Sequence, residues 1–169
     1  MIDALGYAAY TAKAALEPFR FQRRSPGPHD VVLELEYCGI CHSDIHMLDD
    51  DWGIGMFPMV AGHEIVGRVI QLGAQVSSKF AVGDYAGVGC LVDSCRHCAY
   101  CETGEEHYCA EGFTGTMNHF ERGTKNVTRG GFSDVLVIDE RFALKIPGNL
   151  DKAAAAPLLC AGITTYSAM

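Results

Sequence analysis

The 169-residue sequence contains no long apolar run, no long basic run and only six prolines. No stretch approaches the roughly 18 to 20 apolar residues of a membrane span, so we expect no membrane partner. Lys and Arg number 13 against 21 Asp and Glu, a net charge of −8 that argues against a nucleic-acid partner. Hydrophobic residues make up 49% of the chain, which is enough to build the core of one globular domain.

A secretory signal peptide is also missing from the sequence. Residues 1–15 have no basic start, and Asp3, Tyr10 and Lys13 interrupt their apolar positions. We therefore expect a cytoplasmic location, which is a reducing compartment. There, the eight cysteines would be metal ligands or reactive thiols rather than disulfide partners.

The sequence further lacks a glycine-rich dinucleotide-binding turn. The nearest pattern is Gly87-Val-Gly89, but Cys-Leu-Val follows it where x-x-Gly is needed, and it lies inside a strand-like run. No βαβ unit of about 30 residues is visible either. The sequence thus predicts that a Rossmann domain is absent from this chain.

The chain does contain a series of short β-like runs separated by glycine-bearing turns. These runs cover residues 31–37, 65–72, 82–92, 132–138 and 142–146. Many short strands without a βαβ rhythm predict a mainly β fold in the form of a small barrel. One helix is expected to begin near Asn149, with Asp151 as its N-cap.

Four cysteines lie in one short stretch and follow Cys-x-x-Cys spacing: Cys95, Cys98, Cys101 and Cys109. This spacing lets thiolates converge on one tetrahedral ion, with metal–sulfur bonds of about 2.3 Å. A closed set of four thiolates leaves no open position, so the site would be structural rather than catalytic. Spacing alone leaves an iron–sulfur cluster or a redox pair as alternatives to zinc. We expect the neighbouring His97 and His107 to be exposed loop residues.

A second group of possible ligands is spread along the chain. Cys41 follows a strand-like run, His63 precedes another, and Cys160 lies in an apolar segment near residue 169. Two thiolates and one imidazole would leave a fourth position open, which is typical of a catalytic zinc, although such residues are also common in cores. We expect the remaining thiols, Cys38 and Cys90, to be small buried apolar residues.

Six motifs lie along the chain in this order: Cys-Gly-Ile-Cys-His-Ser-Asp-Ile-His at 38–46, Gly-His-Glu-Ile-Val-Gly-Arg at 62–68, Gly-Asp at 83–84, the four-cysteine segment at 95–109, Gly-Gly-Phe-Ser at 130–133, and Ala-Pro-Leu-Leu-Cys-Ala-Gly-Ile-Thr-Thr-Tyr at 156–166. In their order and spacing, these motifs resemble the zinc-dependent medium-chain alcohol dehydrogenases, most closely their cinnamyl-alcohol-dehydrogenase-like, aldehyde-reducing branch.

This resemblance implies a division of the chain. Residues 1–150 would form a GroES-like, partly open barrel, the catalytic domain, with a few short helices and a zinc-tied lobe at 93–115. Residues 151–169 would begin the helix that leads into a cofactor domain, which this chain lacks. The resemblance also implies two zinc ions per chain, NADP as the cofactor, a small-molecule aldehyde or alcohol as the substrate, and a homodimeric full-length parent.

The resemblance also implies roles for individual residues. Cys41, His63 and Cys160 would hold the catalytic zinc, with the Glu64 carboxylate able to approach it. Asp44 would accept a hydrogen bond from the ligand histidine. Ser43 and His46 would relay a proton between the substrate and solvent. The residues that would contact the cofactor are His42, Ser43 and Thr164.

The segment between the two ligand motifs is expected to border the substrate. Trp52 and Phe57 are our predicted pocket residues, with core burial as the alternative for Trp52. The acidic run at 49–51 is interpreted as a solvated loop.

Two functions therefore remain open. The first is the catalytic-domain portion of an alcohol dehydrogenase, inactive alone, whose parent converts a primary alcohol and NADP to an aldehyde and NADPH. The second is a free-standing, zinc-stabilised binding or scaffold module.

Overall fold

The structure is a computed structural model that describes residues 1–169. It contains nine strands: β1 Ile2–Ala8, β2 Glu17–Arg23, β3 Asp30–Cys38, β4 Ile65–Leu72, β5 Tyr85–Val88, β6 Leu91–Asp93, β7 Thr114–Gly115, β8 Val135–Asp139 and β9 Leu144–Lys145. The α-helices are short: α1 His42–Asp49, α2 Ala99–Glu102, α3 Lys152–Ala155 and α4 Ala161–Ser167. None of them has the length and apolar character that a membrane span requires.

The centre of the fold is a five-stranded antiparallel sheet in the order β8-β3-β4-β5-β9. The first half of strand β3 is buried on both faces. Val31 and Leu33 join the main core on one side, and Val32 packs on the other side against Ala4 and Val135. The hairpin formed by β1 and β2 covers this second face. All strand pairs are antiparallel, so these residues contain no βαβ unit, and the predicted mainly β fold is correct.

Strands β3, β4 and β8 fall within the predicted runs or extend them by one residue, but the predicted run 82–92 is wrong as a single strand. It divides into β5, in the central sheet, and β6, which pairs with β7 outside that sheet. The predicted run 142–146 also shortens to β9, because a 3₁₀ turn occupies Glu140–Phe142.

The single helix expected after Asn149 is wrong as well. Asp151 caps α3 as predicted, since its Oδ1 accepts a hydrogen bond from the Ala154 amide at 2.8 Å. The segment then breaks into a 3₁₀ turn and α4. Pro157 has no amide proton to continue the helical ladder, and Cys160 leaves the helical region at φ −129°. The break presents the Cys160 thiol toward α1.

Candidate active site and metal centre

Three elements that are distant in sequence bring Cys41, His63 and Cys160 together. Cys41 is the N-cap of α1, His63 lies just before β4, and Cys160 sits at the helix break. One ligand atom from each lies within 4.8 Å of the others, and the two Sγ atoms are 3.9 Å apart. A tetrahedral zinc with bonds of about 2.3 Å places two sulfurs about 3.8 Å apart, whereas a disulfide requires about 2.05 Å. The donor set therefore fits a zinc ion.

Asp44 fixes the orientation of the imidazole of His63. The buried carboxylate of Asp44 accepts a hydrogen bond from His63 Nδ1 at 2.9 Å. It also accepts from the backbone amides of Cys41 at 2.9 Å and Gly62 at 2.8 Å. Burial acts to lower the pKa of His63, but Asp44 outweighs it, so that pKa is raised overall. With its proton held on Nδ1, the ring presents the Nε2 lone pair as a ligand.

The two thiols of this group differ in how readily they ionise. Burial opposes ionisation of Cys41, but hydrogen bonds from the Ser43 amide and hydroxyl outweigh it and lower the pKa of Cys41. Ser43 Oγ lies 3.7 Å from its Sγ. Burial and the neighbouring Cys90 instead raise the pKa of Cys160. A bound cation is therefore what would hold Cys160 as a thiolate.

Glu64 is buried behind the ligand group rather than within it. Its Oε1 accepts a hydrogen bond from the Ala161 amide at 3.2 Å, and this contact joins the start of β4 to the start of α4. A Cβ atom on Gly39 would lie 2.1 Å from Glu64 Oε2, so only glycine leaves room for this carboxylate. The predicted approach of Glu64 to the metal stays a prediction.

The predicted relay histidine, His46, lies on α1, five positions after the ligand Cys41. Its ring stacks on that of His42, with centroids 4.7 Å apart. Its Nδ1 lies 2.7 Å from Asp51 Oδ2. Asp51 belongs to the acidic run predicted to be a solvated loop, so its contact with His46 was not predicted. The left-handed residue Asp50 ends α1 and turns the chain back, and no sequence motif marks that turn.

The predicted pocket and cofactor residues lie at the surface of the same region. Trp52 is 51% exposed and its ring centroid is 5.2 Å from that of His46, so the alternative of core burial is wrong. Phe57 is half-buried farther along the loop. His42 and Thr164 are exposed, and their contacts with a cofactor stay predictions.

The four-cysteine segment closes around a second centre. One ligand atom of each cysteine lies within 4.8 Å of the others, and Sγ of Cys101 is 3.8 Å from that of Cys95 and 3.5 Å from that of Cys98. These separations fit one shared ion. Cluster cysteines bind different irons and lie farther apart, so the geometry favours zinc over an iron–sulfur cluster. His97 and His107 are exposed, as expected.

Backbone amides and burial shift the pKa values of the thiols in this lobe. The amide of Ala110 donates to Cys98 Sγ at 3.4 Å and, with that of Cys101, lowers the pKa of Cys98 to about 6. Burial raises the pKa of Cys95 to about 11. Arg122, which the sequence analysis did not single out, reaches the site from outside the lobe, with Nη2 3.6 Å from Cys109 Sγ.

The prediction that the two remaining thiols are small buried residues is wrong. Cys38 and Cys90 are both half-buried. Cys38 lines an apolar surface groove of about 510 Å³, and burial raises its pKa to about 12. Burial also raises the pKa of Cys90. Neither thiol is poised as a nucleophile.

The fold and both cysteine sites identify the class of protein. The sequence profile described as "Alcohol dehydrogenase GroES-like domain" matches residues 27–148, so the chain belongs to that family. The resemblance to zinc-dependent medium-chain alcohol dehydrogenases and the GroES-like architecture are thereby confirmed.

Individual relatives show which branch of the family the chain resembles. The chain is 52% identical over 167 residues to aldehyde reductase YahK of Escherichia coli (strain K12), covering 98% of the chain and 47% of that protein. Cinnamyl alcohol dehydrogenase SbCAD4 from Sorghum bicolor superposes with a TM-score of 0.95 at 45% identity, covering 99% and 47% of the two chains.

A second solved structure is cinnamyl alcohol dehydrogenase from Helicobacter pylori, complexed with NADP(H). It also superposes with a TM-score of 0.95, at 38% identity, covering 99% of this chain and 48% of its own. The predicted cinnamyl-alcohol-dehydrogenase-like branch is confirmed. The chain spans about half the length of the relatives it matches.

Proposed function

We propose that this chain supplies the zinc-binding half of a cytoplasmic, NADP-dependent dehydrogenase that interconverts primary alcohols and aldehydes. The observation that carries the proposal is the group formed by Cys41, His63 and Cys160, in which Asp44 orients the imidazole. A scaffold would have no use for three metal donors that leave one position open. The alternative of a binding module therefore has no observation in its favour.

Cys41, His63 and Cys160 would hold the catalytic zinc, and their two thiolates would balance its charge. Once bound there, zinc supplies a Lewis acid that polarises a carbonyl oxygen and stabilises the negative charge developing on it as hydride reaches the carbon. Trp52 and Phe57 would border the aldehyde, because both lie on the loop beside His46. The Glu64 carboxylate, buried behind the ligands, would be able to approach the zinc ion.

Proton transfer would use three residues of the chain. The Ser43 hydroxyl, two positions after the ligand Cys41, would donate its proton to the substrate oxygen. His46 would resupply that proton and exchange it with solvent, since its ring is partly exposed. Asp51 would orient the His46 ring through its 2.7 Å contact with Nδ1. Asp51 therefore extends the predicted relay by one residue.

Hydride transfer would need a part of the parent protein beyond these residues. The described strands contain no dinucleotide-binding unit, and His42, Ser43 and Thr164 alone cannot hold NADP. Without a positioned hydride donor the advantage of proximity is lost, so the isolated chain would be inactive. Residues 1–150 would be the catalytic domain and 151–169 the lead into the cofactor domain of a homodimeric parent.

The lobe at 93–115 would hold a second, structural zinc through Cys95, Cys98, Cys101 and Cys109. Four thiolates leave no open position, so this ion would stabilise the fold rather than react. The two sites can be counted separately. We expect the purified chain to contain two zinc ions, Cys160→Ser to contain one, and the lobe variant Cys101→Ser to keep only the three-ligand ion.

The test combines metal analysis by mass spectrometry with an assay of NADPH oxidation in the presence of benzaldehyde. A single zinc that Cys160→Ser does not remove would overturn the three-ligand site. Iron in the lobe would overturn the zinc assignment there. Measurable turnover by the 169-residue chain would contradict its proposed inactivity without affecting the metal sites.

A further inference from the structure

The loop after α1 is held by a residue that the proposed mechanism does not use. This loop, residues 50–57, is called the Trp52 loop here, and it also carries Asp51. Asp50 closes it from within, because its Oδ1 accepts a hydrogen bond from the Gly55 amide at 2.7 Å. Backbone hydrogen bonds hold its start, since the Asp51 amide donates to the His46 carbonyl at 3.0 Å. Its far end is held by Asn118, which is distant in sequence and only 4% exposed.

The side-chain amide of Asn118 is fully used by this region. Its Oδ1 accepts a hydrogen bond from the Met56 amide at 2.7 Å. Its Nδ2 donates to the Ile54 carbonyl at 3.0 Å and to Met47 Sδ at 3.3 Å. The Met56 amide can only donate, so the oxygen and nitrogen of Asn118 cannot be exchanged. One side chain thus joins α1, through Met47, to the far end of the Trp52 loop.

The backbone of Asn118 is equally specific. Its φ of 55° lies in the left-handed region, which asparagine tolerates better than most residues. Its backbone amide donates to the Thr128 carbonyl at 3.1 Å, and the Thr128 hydroxyl accepts from the His119 amide at 3.0 Å. The Asn118 backbone is therefore anchored to its own segment, while its side-chain amide faces the Trp52 loop.

We propose that Asn118 is a positioning residue for the reaction: its amide holds the Trp52 loop so that Asp51 stays on His46 and Trp52 stays over the His46 ring. This inference rests on the function proposed above. Met47, which Asn118 contacts, directly follows His46 in α1. Without the amide, the start of the loop would keep two backbone hydrogen bonds, from the Asp51 amide to the His46 carbonyl and from the Gly53 amide to the Asp50 carbonyl, both at 3.0 Å. The far end of the loop would lose its partner at Ile54 and Met56, and the Asp51 and Trp52 side chains would then lose their fixed geometry.

The test uses Asn118→Gly, because glycine adopts the left-handed backbone freely and removes only the amide. The matched control is Asn126→Gly, which removes an exposed amide that donates only to Glu121 Oε2, at 3.3 Å. Trp52 is the sole tryptophan, so its fluorescence anisotropy decay reports on the loop alone. Hydrogen exchange of the Met56 amide, followed by NMR in the zinc-loaded chain, is the second measurement.

In Asn118→Gly we expect faster local motion of Trp52, and exchange of the Met56 amide to accelerate about tenfold, since a half-buried donor loses its partner. The amides of β3 should keep their parental exchange rates, and Asn126→Gly should match the parent throughout. Unchanged Trp52 and Met56 signals would overturn the inference. Equal acceleration in β3 and at Met56 would also overturn it, because Asn118 would then support only global stability.

A second variant covers the case in which Asn118→Gly fails to fold. Asn118→Asp keeps an acceptor for Met56 but turns a second oxygen toward the Ile54 carbonyl, and we expect it to mobilise Trp52. A rigid Trp52 in that variant would contradict the inference. Zinc is counted in the same samples. Absence of the three-ligand ion from the parent chain would overturn the proposed function. The Trp52 motion and Met56 exchange rates would still test whether Asn118 holds the Trp52 loop.

Discussion

Asp44→Asn tests how far one buried carboxylate determines metal affinity. In the parent chain, Asp44 Oδ1 accepts hydrogen bonds from His63 Nδ1 and the Gly62 amide, and Oδ2 accepts from the Cys41 amide. Asparagine offers one oxygen for these three donors. If that oxygen takes the Oδ1 position, the new NH₂ group faces the amide of a ligand residue, Cys41, and one buried donor is left without a partner.

Two estimates of the free energy of zinc binding lost in Asp44→Asn agree. A buried donor left without a partner costs about 1–3 kcal/mol. Removal of a carboxylate that supports a ligand histidine typically lowers metal affinity about 10- to 100-fold, which is about 1.4–2.7 kcal/mol. We therefore expect the three-ligand site of Asp44→Asn to bind zinc about 10- to 100-fold more weakly than the parent site.

Competition with a chromophoric chelator measures this affinity, because the three-ligand and four-cysteine sites can be titrated as separate classes. The four-cysteine class should be unchanged. Asp49→Asn is the control, since it makes the same chemical change at the last residue of the same helix. Parental affinity in Asp44→Asn, or equal weakening of both sites, would refute the reasoning.

Three further changes test the lobe, acid stability and packing. Arg122→Gln should speed zinc loss from the lobe to EDTA by about fivefold, because a hydrogen bond of about 1 kcal/mol to a thiolate is lost. Burial acts to raise the pKa of Asp139, but Arg141 outweighs it and the pKa falls. Asp139→Asn should therefore destabilise the chain in urea unfolding at neutral pH, and its effect should fade below the unfolded value of about 3.9. Gly39→Ala should cost about 1–3 kcal/mol of unfolding free energy, because its methyl group would collide with Glu64.

Each of these changes has its own control. Arg20→Gln removes an exposed arginine on β2, and zinc loss as slow in Arg122→Gln as in Arg20→Gln would argue against the thiolate contact. The Asp139→Asn series is run in EDTA, so that metal loss at acid pH does not contribute, and a pH-independent effect would contradict the ion-pair explanation. Gly148→Ala adds a methyl group to open space, so its stability should match the parent.

The sequence predicted those parts of the fold that have a strong local signal. Strand β3 was predicted because residues 31–37 form an alternating, β-branched run typical of a strand with one buried face. Its first residues are in fact buried on both faces, since Val32 packs opposite Val31 and Leu33. Strands β1 and β2 were missed because β1 buries small residues such as Ala4, and β2 exposes most of its side chains. Their pairing is stabilised by the face of β3 that they cover, which no local pattern reveals.

The candidate site divides in the same way. Cys-x-x-Cys spacing places Cys98 and Cys101 on one turn, so the four-thiolate site follows from local geometry. The contacts of Asp51 and Asn118 do not. Asp51 reaches His46 only because the chain turns at a left-handed residue, and Asn118 meets Met47 across 71 positions of sequence. Such long-range pairing is settled by packing and not by residue spacing.

The helix break at Cys160 has a consequence for the order in which the two centres can form. The lobe thiols pair across three and six positions, whereas Cys41 and Cys160 pair across 119. Closing the longer loop costs more chain entropy and requires that every residue from Cys41 to Cys160 has been made. During synthesis on the ribosome, the lobe can bind its ion as soon as Cys109 has emerged. The three-ligand site lacks one ligand until Cys160 has been made. The three-ligand site would thus be completed after the lobe has bound its ion.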